Sequence, residues 1–151
     1  MMKSEVIHRR GMEFAEFAQS ELTGRILKAA FEVHTVLGPG LLESAYQGAM
    51  THELQLQRLS FASQVSVPLQ YKGTTLSSPL RLDLLVEGLA IVEIKSILTL
   101  EDIHHAQLLT YLRLTNLQAG LLINFNVVSL KLGIKRVINT PRNSANSVPL
   151  R

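Results

Sequence analysis

The spacing of apolar residues changes repeatedly along this chain, and each change marks the edge of an element. From Thr23, a side chain suited to an N-cap, Ile26, Ala30, Val33 and Leu37 recur at helical spacing and predict an amphipathic helix. Gly38-Pro39-Gly40 ends it, because Gly accepts a left-handed cap and Pro cannot continue the hydrogen-bond ladder. A second helix is predicted from Leu41 to Arg58. Leu42, Ala45, Ala49 and Leu56 mark one stripe of it, and Glu43, Tyr46 and Met50 lie on the adjacent stripe. Glu43 falls in the first turn, where the helix dipole favours an anion whether or not it has a further task.

Beyond Arg58 the period drops to two. Phe61 to Tyr71 alternates as a strand, with Pro68 marking an edge or an irregularity, and Lys72-Gly73 is a turn signal before a short return over Thr74 to Ser77. Arg81 to Val86 and Leu89 to Ile97 form two more strands on either side of Gly88. Ala90, Ile91, Val92, Ile94 and Ile97 are too continuously apolar for a half-exposed strand, so this one is predicted to be central and covered on both faces. Thr99-Leu100-Glu101-Asp102 resembles a capping-box start, and the helix it opens, to about Asn116, carries Leu100, Ile103, Gln107, Tyr111 and Leu114 on one stripe. Ala119 to Phe125 and Ile134 to Asn139 complete the strands. The order predicts one α/β domain, a central mixed sheet flanked by helices. Residues 1–20 read as an N-terminal arm, residues 21–139 as the domain, and residues 140–151 as a tail of disordered composition.

Composition narrows this picture. At 151 residues with 46% hydrophobic side chains, the chain can bury one sizeable core. It has no cysteine, which excludes disulfides, thiolate metal sites and cysteine nucleophiles, so any metal must be held by oxygen or imidazole. No stretch reaches the length of about 18 to 20 apolar residues that spans a bilayer, and the expectation is a soluble cytoplasmic protein. The net charge of +3 comes from the ends, since residues 12–139 carry 10 basic against 11 acidic side chains. More informative is the asymmetry: no acid follows Asp102, while Arg113, Lys131, Lys135, Arg136, Arg142 and Arg151 do. That places a positive flank beside an acidic centre.

The acidic centre is the stretch Arg81 to Lys95. A hairpin turning at Gly88 sets Asp83 opposite Glu93, and Lys95 shares a face with Glu93. Phosphodiester hydrolysis requires a hard cation to offset charge developing on phosphorus-bound oxygens, and Mg²⁺ prefers carboxylates plus retained waters. Asp83 and Glu93 offer two such ligands and the Ile94 backbone carbonyl a third, with Lys95 placed to stabilise the hydroxide form of an attacking water. The other reading of the same residues is a Glu93–Lys95 ion pair without a ligand. Charged residues are rarely set in a central strand unless they are paired or functional.

The D…ExK arrangement on consecutive strands, preceded by a helix bearing an acid, resembles the PD-(D/E)XK nuclease superfamily. Within it, Gly40-Leu41-Leu42-Glu43-Ser44-Ala45-Tyr46 is similar to the hallmark of the GxxExxY protein family. The likeness runs from about Thr23 to Asn139 and takes in VHTVLGPGLLESAY, VPLQYKG, LDLLVE, VEIKS, AQLLTYL and LLINF. It implies a restriction-endonuclease-like αβββαβ core, metal-ligand roles at Asp83 and Glu93, a catalytic lysine at Lys95 and a supporting acid at Glu43. Gln107 and Tyr111 are similar to the QxxxY motif of the RecB-like branch, which implies a place near the site and the substrate. Leu82 stands where the superfamily usually has Pro.

The activity implied is Mg²⁺- or Mn²⁺-dependent hydrolysis of nucleic acid, DNA foremost, with a homodimer or an accessory partner supplying specificity. The alternative is a catalytically silent or partner-dependent nucleic-acid-binding protein on the same fold. His34 corresponds to an extra metal ligand in some RecB-like nucleases, but a lone His carries little metal specificity and reads first as a core or capping histidine. Tyr46 and Tyr111 are placed either to stack on bases or to sit at the core edge. His104 and His105, adjacent on a helix, diverge by about 100° and do not share a metal.

Overall fold

The changes of period fall where the chain passes between helix and strand. In the computed structural model, which describes residues 2–140 and the side chains from residue 19 onward, the elements run α1 (Met2–Leu37), α2 (Glu43–Leu56), β1 (Phe61–Val67), β2 (Gln70–Tyr71), β3 (Thr74–Thr75), β4 (Leu80–Val86), β5 (Ala90–Lys95), α3 (Asp102–Thr115), β6 (Ala119–Asn124), a 3₁₀ turn (Leu130–Gly133) and β7 (Ile134–Ile138). Strands β1, β4, β5, β6 and β7 form one mixed sheet in that order, and β2 pairs only with β3 around the Lys72-Gly73 turn. All neighbours in the large sheet are antiparallel except β5 and β6, which are parallel because α3 carries the chain back across the sheet. The expected α/β class and αβββαβ core are present, as α2, β1, β4, β5, α3 and β6.

The turn at Gly88 fixes the centre of the sheet. Glu87 and Gly88 have φ of 55° and 65°, and the Leu89 amide donates to the Val86 carbonyl at 3.0 Å. Two successive left-handed residues make the turn whose twist suits paired strands. The register that follows, Leu84 with Val92 and Val86 with Ala90, puts Asp83 level with Glu93, as counting from Gly88 predicts.

Three layers result. Helices α1 and α2 cover one face, where Ile26, Val33, Tyr46 and Met50 pack on Leu84, Val92, Ile94 and Ile123. Helix α3 covers the other, with Leu108 and Leu112 against Leu82, Ile91, Leu122 and Val137. In β1 and β4 the faces exchange partway. Phe61, Leu84 and Val86 belong to the first layer, whereas Val65, Val67, Leu80 and Leu82 belong to the second. Residues two apart on a regular strand share a face, so the change of layer between Leu82 and Leu84 marks a break in the regular alternation at Asp83.

Several expectations change. Helix α1 does not begin at Thr23. It is already helical from Met2, and the Thr23 hydroxyl, 2.7 Å from the Gln19 carbonyl four residues back, donates within the helix instead of capping it. The backbone of the expected arm is therefore the first part of α1, while its side chains to residue 18 and the tail from residue 141 lie outside the described residues. On α2 the buried stripe is Tyr46, Met50 and Leu54, and Leu42 and Leu56 are exposed. The first strand ends at Val67, just before Pro68, and Glu101 rather than Thr99 caps α3. Among the described residues no helix is long and apolar enough to cross a membrane.

Candidate active site

The site forms where β4 and β5 separate. Beyond the Leu84–Val92 pair, carboxylates take over from backbone acceptors. The Asp83 amide donates to Glu93 Oε1 at 3.1 Å, and the Ile94 amide donates to Asp83 Oδ2 at 2.9 Å. Each acid thus accepts from the backbone of the opposite strand, which fixes both carboxylates and leaves each a second oxygen. A strand residue points its N–H and C=O to the same side, so the Ile94 carbonyl also faces β4. The Lys95 carbonyl faces the other way and accepts from the Phe125 amide at 2.9 Å.

Glu93 is 6% exposed. Its carboxyl is pushed up to about 8, first by burial and next by the Asp83 charge; the Asp83 amide opposes this, and Lys95 offsets it least. The ion-pair reading of Glu93 and Lys95 therefore does not account for Glu93, whose partner is Asp83. Tyr111 reaches the same notch. Its phenol is raised above the ordinary range by burial and then by the charges of Glu93 and Asp83. Two carboxylates held by backbone amides in a largely dry notch, with a carbonyl on the same side, are an oxygen donor set that fits a divalent cation.

Lys95 opens onto a cleft of about 550 Å³ on the α3 side, lined also by His104, Gln107 and Thr110. Gln107 lines this cleft from α3, the helix that also carries Tyr111. Glu43 is different. It belongs to α2, on the opposite face of the sheet, and is exposed at the end of the stripe that Tyr46 and Met50 continue. Ser96 Oγ donates to the Leu41 carbonyl at 2.5 Å and ties that end of α2 to the chain just after Lys95. Among the described residues, however, no three acid or imidazole side chains come together to hold a metal, so Glu43 does not join Asp83 and Glu93 in one cluster.

Two further candidates are corrected. Tyr46 is fully buried and stacks on Phe125 with ring centroids 4.6 Å apart. Its hydroxyl donates to the Gly38 carbonyl at 2.6 Å and accepts from the Leu41 amide at 3.1 Å. It cannot reach a base, and its work is to brace the turn that delivers Glu43. His34 Nε2 lies 2.7 Å from the Val127 carbonyl, to which it must donate because a carbonyl only accepts. That nitrogen holds the chain after β6 against α1 and is closed to a metal.

Sequence reasoning passed over Asn124, Ser96 and Gln64, and weighed His104 only as a metal ligand. Asn124, fully buried, accepts the Ile97 and Asn126 amides at 3.1 and 3.2 Å and donates to the Ile97 carbonyl at 2.9 Å, clamping the chain that leaves Lys95. A lone Asn in the apolar run Ala119 to Phe125 was its signal. Ser96 and Gln64 act through partners distant in sequence, the Leu41 carbonyl and the Gln47 side chain, whereas His104 bonds the Glu101 amide three residues back.

The description of the PD-(D/E)XK nuclease superfamily matches residues 20–137, most of the chain. No curated protein and no solved structure matches.

Proposed function

Because the chain belongs to the PD-(D/E)XK nuclease superfamily, we propose that it is a metal-dependent nuclease that hydrolyses phosphodiester bonds in nucleic acid, DNA foremost, with residues 21–139 as the nuclease domain. The observation that carries this reading is the crossed pair of carboxylates, Asp83 on the Ile94 amide and Glu93 on the Asp83 amide, with Lys95 beside them.

Asp83, Glu93 and the Ile94 carbonyl would hold the cation, Mg²⁺ or Mn²⁺. When bound it supplies Lewis-acid neutralisation of charge developing on the phosphate oxygens. The rest belongs to the chain. The cross-strand amides orient the two carboxylates so that no side-chain rotation is needed as the substrate arrives. Lys95 Nζ donates to the attacking water and stabilises its hydroxide form, and Tyr111 covers the notch from the α3 side. Gln107, on the wall of the cleft, orients the phosphodiester. Glu43 acts from the end of α2 as a supporting acid. The Gly40, Glu43 and Tyr46 spacing supports placement in the GxxExxY group, and Gln107 with Tyr111 supports a RecB-like affinity.

The test is cleavage of single-stranded, duplex and branched DNA and of RNA by the purified protein in Mg²⁺ or Mn²⁺. Activity should fall about a hundredfold or more in Asp83→Asn and in Lys95→Ala with the fold intact. Absence of cleavage on every substrate counts against the reading. A second reading, a binding protein whose cleavage is silent or depends on a partner, draws on the separation of Glu43 from the carboxylate pair. Salt-sensitive nucleic-acid binding that is indifferent to Asp83→Asn, without cleavage, would favour it.

A further inference from the structure

The Lys95 cleft contains a donor that the site so far does not use. His104 is half-buried in the first turn of α3, and its Nδ1 lies 2.9 Å from the Glu101 amide. An amide only donates, so Nδ1 is the acceptor and the neutral ring carries its proton on Nε2. The backbone thereby fixes both the tautomer and the ring plane. The remaining function of the ring is an Nε2–H donor on the wall of a cleft it shares with Lys95 and Gln107. Thr110 lines the same wall, but its hydroxyl donates to the Ala106 carbonyl at 3.0 Å. Among the described residues no acid lines this cleft, and Glu101 and Asp102 stand outside it.

Position along the helix says what such a donor can meet. His104, Gln107 and Tyr111 stand at i, i+3 and i+7 on one stripe of α3. Tyr111 lies beside Asp83 and Glu93. His104 is therefore displaced from that notch by roughly 10 Å along the helix axis, on the side where the cleft continues. Too far for the scissile phosphate, that distance suits the next one along the strand.

We propose that His104 is a substrate-binding residue whose Nε2–H donates to a non-bridging oxygen of the phosphate neighbouring the scissile one. This rests on the nuclease reading of the carboxylate pair and extends it to how the strand is held. The ring's two nitrogens have separate tasks, Nδ1 capping α3 and Nε2 binding phosphate, and substitution can part them. His104→Asn keeps an acceptor near the Nδ1 position and leaves its amide donor near Cδ2, short of the Nε2 position. His104→Gln, at the N3 position of a capping box, rebuilds the cap through its own carbonyl oxygen and carries an amide donor towards the Nε2 position. His104→Ala loses both.

The experiment measures oligonucleotide Kd with divalent ions chelated, and Tm, for all four proteins. Affinity should follow the donor, with unsubstituted and Gln proteins tighter than Asn and Ala by roughly tenfold or more. Tm should follow the cap, with unsubstituted, Asn and Gln proteins above Ala. A single methylphosphonate, scanned over the two phosphates on either side of the cleavage point, should weaken the unsubstituted protein at one position and the Asn variant no further there. Affinity that follows Tm instead, or an Asn variant as tight as the unsubstituted protein, overturns the proposal while cleavage in Mg²⁺ leaves the nuclease reading standing. If the unsubstituted protein neither cleaves nor binds any nucleic acid, both fall.

Discussion

Gln64 stands across from Asp83 on the one rung that the β1–β4 ladder omits between Ser63–Leu84 and Val65–Leu82. Gln64 has a φ of 51°, in the left-handed region, and its side-chain amide donates to Gln47 Oε1 on α2 at 3.0 Å. On either side of this rung both strands exchange the faces they present to the two helical layers. The left-handed residue at this rung thus lies opposite Asp83, where β4 and β5 also part.

Left-handed backbone strains a β-branched residue and not Gly. Gln64→Gly should keep stability within about 1 kcal/mol and keep cleavage, while Gln64→Val should cost about 1–3 kcal/mol. Chemical denaturation at constant m checks the first effect. Cation affinity, measured by calorimetry, should weaken in Gln64→Val and not in Gln64→Gly, because only the former disturbs Asp83.

The Tyr46 hydroxyl joins the Gly38 carbonyl to the Leu41 amide, and Tyr46→Phe leaves both without that partner while preserving the stacked ring. A loss of about 1–2 kcal/mol is expected by urea unfolding. Cleavage should fall several-fold as well, since the turn that carries Glu43 loosens; full activity in a folded Tyr46→Phe protein would remove the bracing role.

The raised Glu93 carboxyl makes stability depend on pH. Its folded value of about 8 exceeds the ordinary 4.5, so between those values the folded chain holds a proton that the unfolded chain has released. The stabilisation is complete below the lower value and is lost as pH rises through the upper one. The metal-free protein should therefore lose stability from pH 5 to pH 8, by a few kcal/mol at most. Tm against pH should show this slope, Glu93→Gln should flatten it, and Mg²⁺ should raise Tm most near pH 8, where a cation replaces the proton.

Asn124→Asp retains the acceptor for the Ile97 and Asn126 amides but faces the Ile97 carbonyl with a second acceptor. About 2–3 kcal/mol of destabilisation is expected, with kcat falling because the Lys95–Ile97 segment shifts. Gly133→Ala tests the same clamp from behind. An added Cβ would stand 2.2 Å from the Asn124 carbonyl oxygen, so backbone must move and stability should drop by at least about 2 kcal/mol.

Much of the centre was legible because it is local. Alternation over Arg81 to Val86, the apolar run after Leu89 and the single Gly between them set the register that levels Asp83 with Glu93. Periodicity also found α2 and marked Leu42, Ala45, Ala49 and Leu56 as one stripe, with Tyr46 and Met50 on the next. The first stripe is apolar enough for the core, yet Tyr46, Met50 and Leu54 occupy it, because an aromatic partner at Phe125 rotates the helix towards them. Thr23 misled for a related reason. A hydroxyl before an apolar stripe looks alike whether it caps a helix or bonds back within one.

By itself the sequence determined the class of the fold, the order of its elements and the carboxylates and lysine brought to the centre, because side-chain period and turn chemistry act over a few residues. Tertiary structure alone decided that Asp83 and Glu93 each hold the other strand's amide, that left-handed Gln64 falls on the rung opposite Asp83, that Glu43 stays apart, and that the cleft beside Lys95 takes in His104 and Gln107. Those outcomes depend on contacts between residues up to tens of positions apart, whose geometry emerges only once the two helical layers have closed on the sheet.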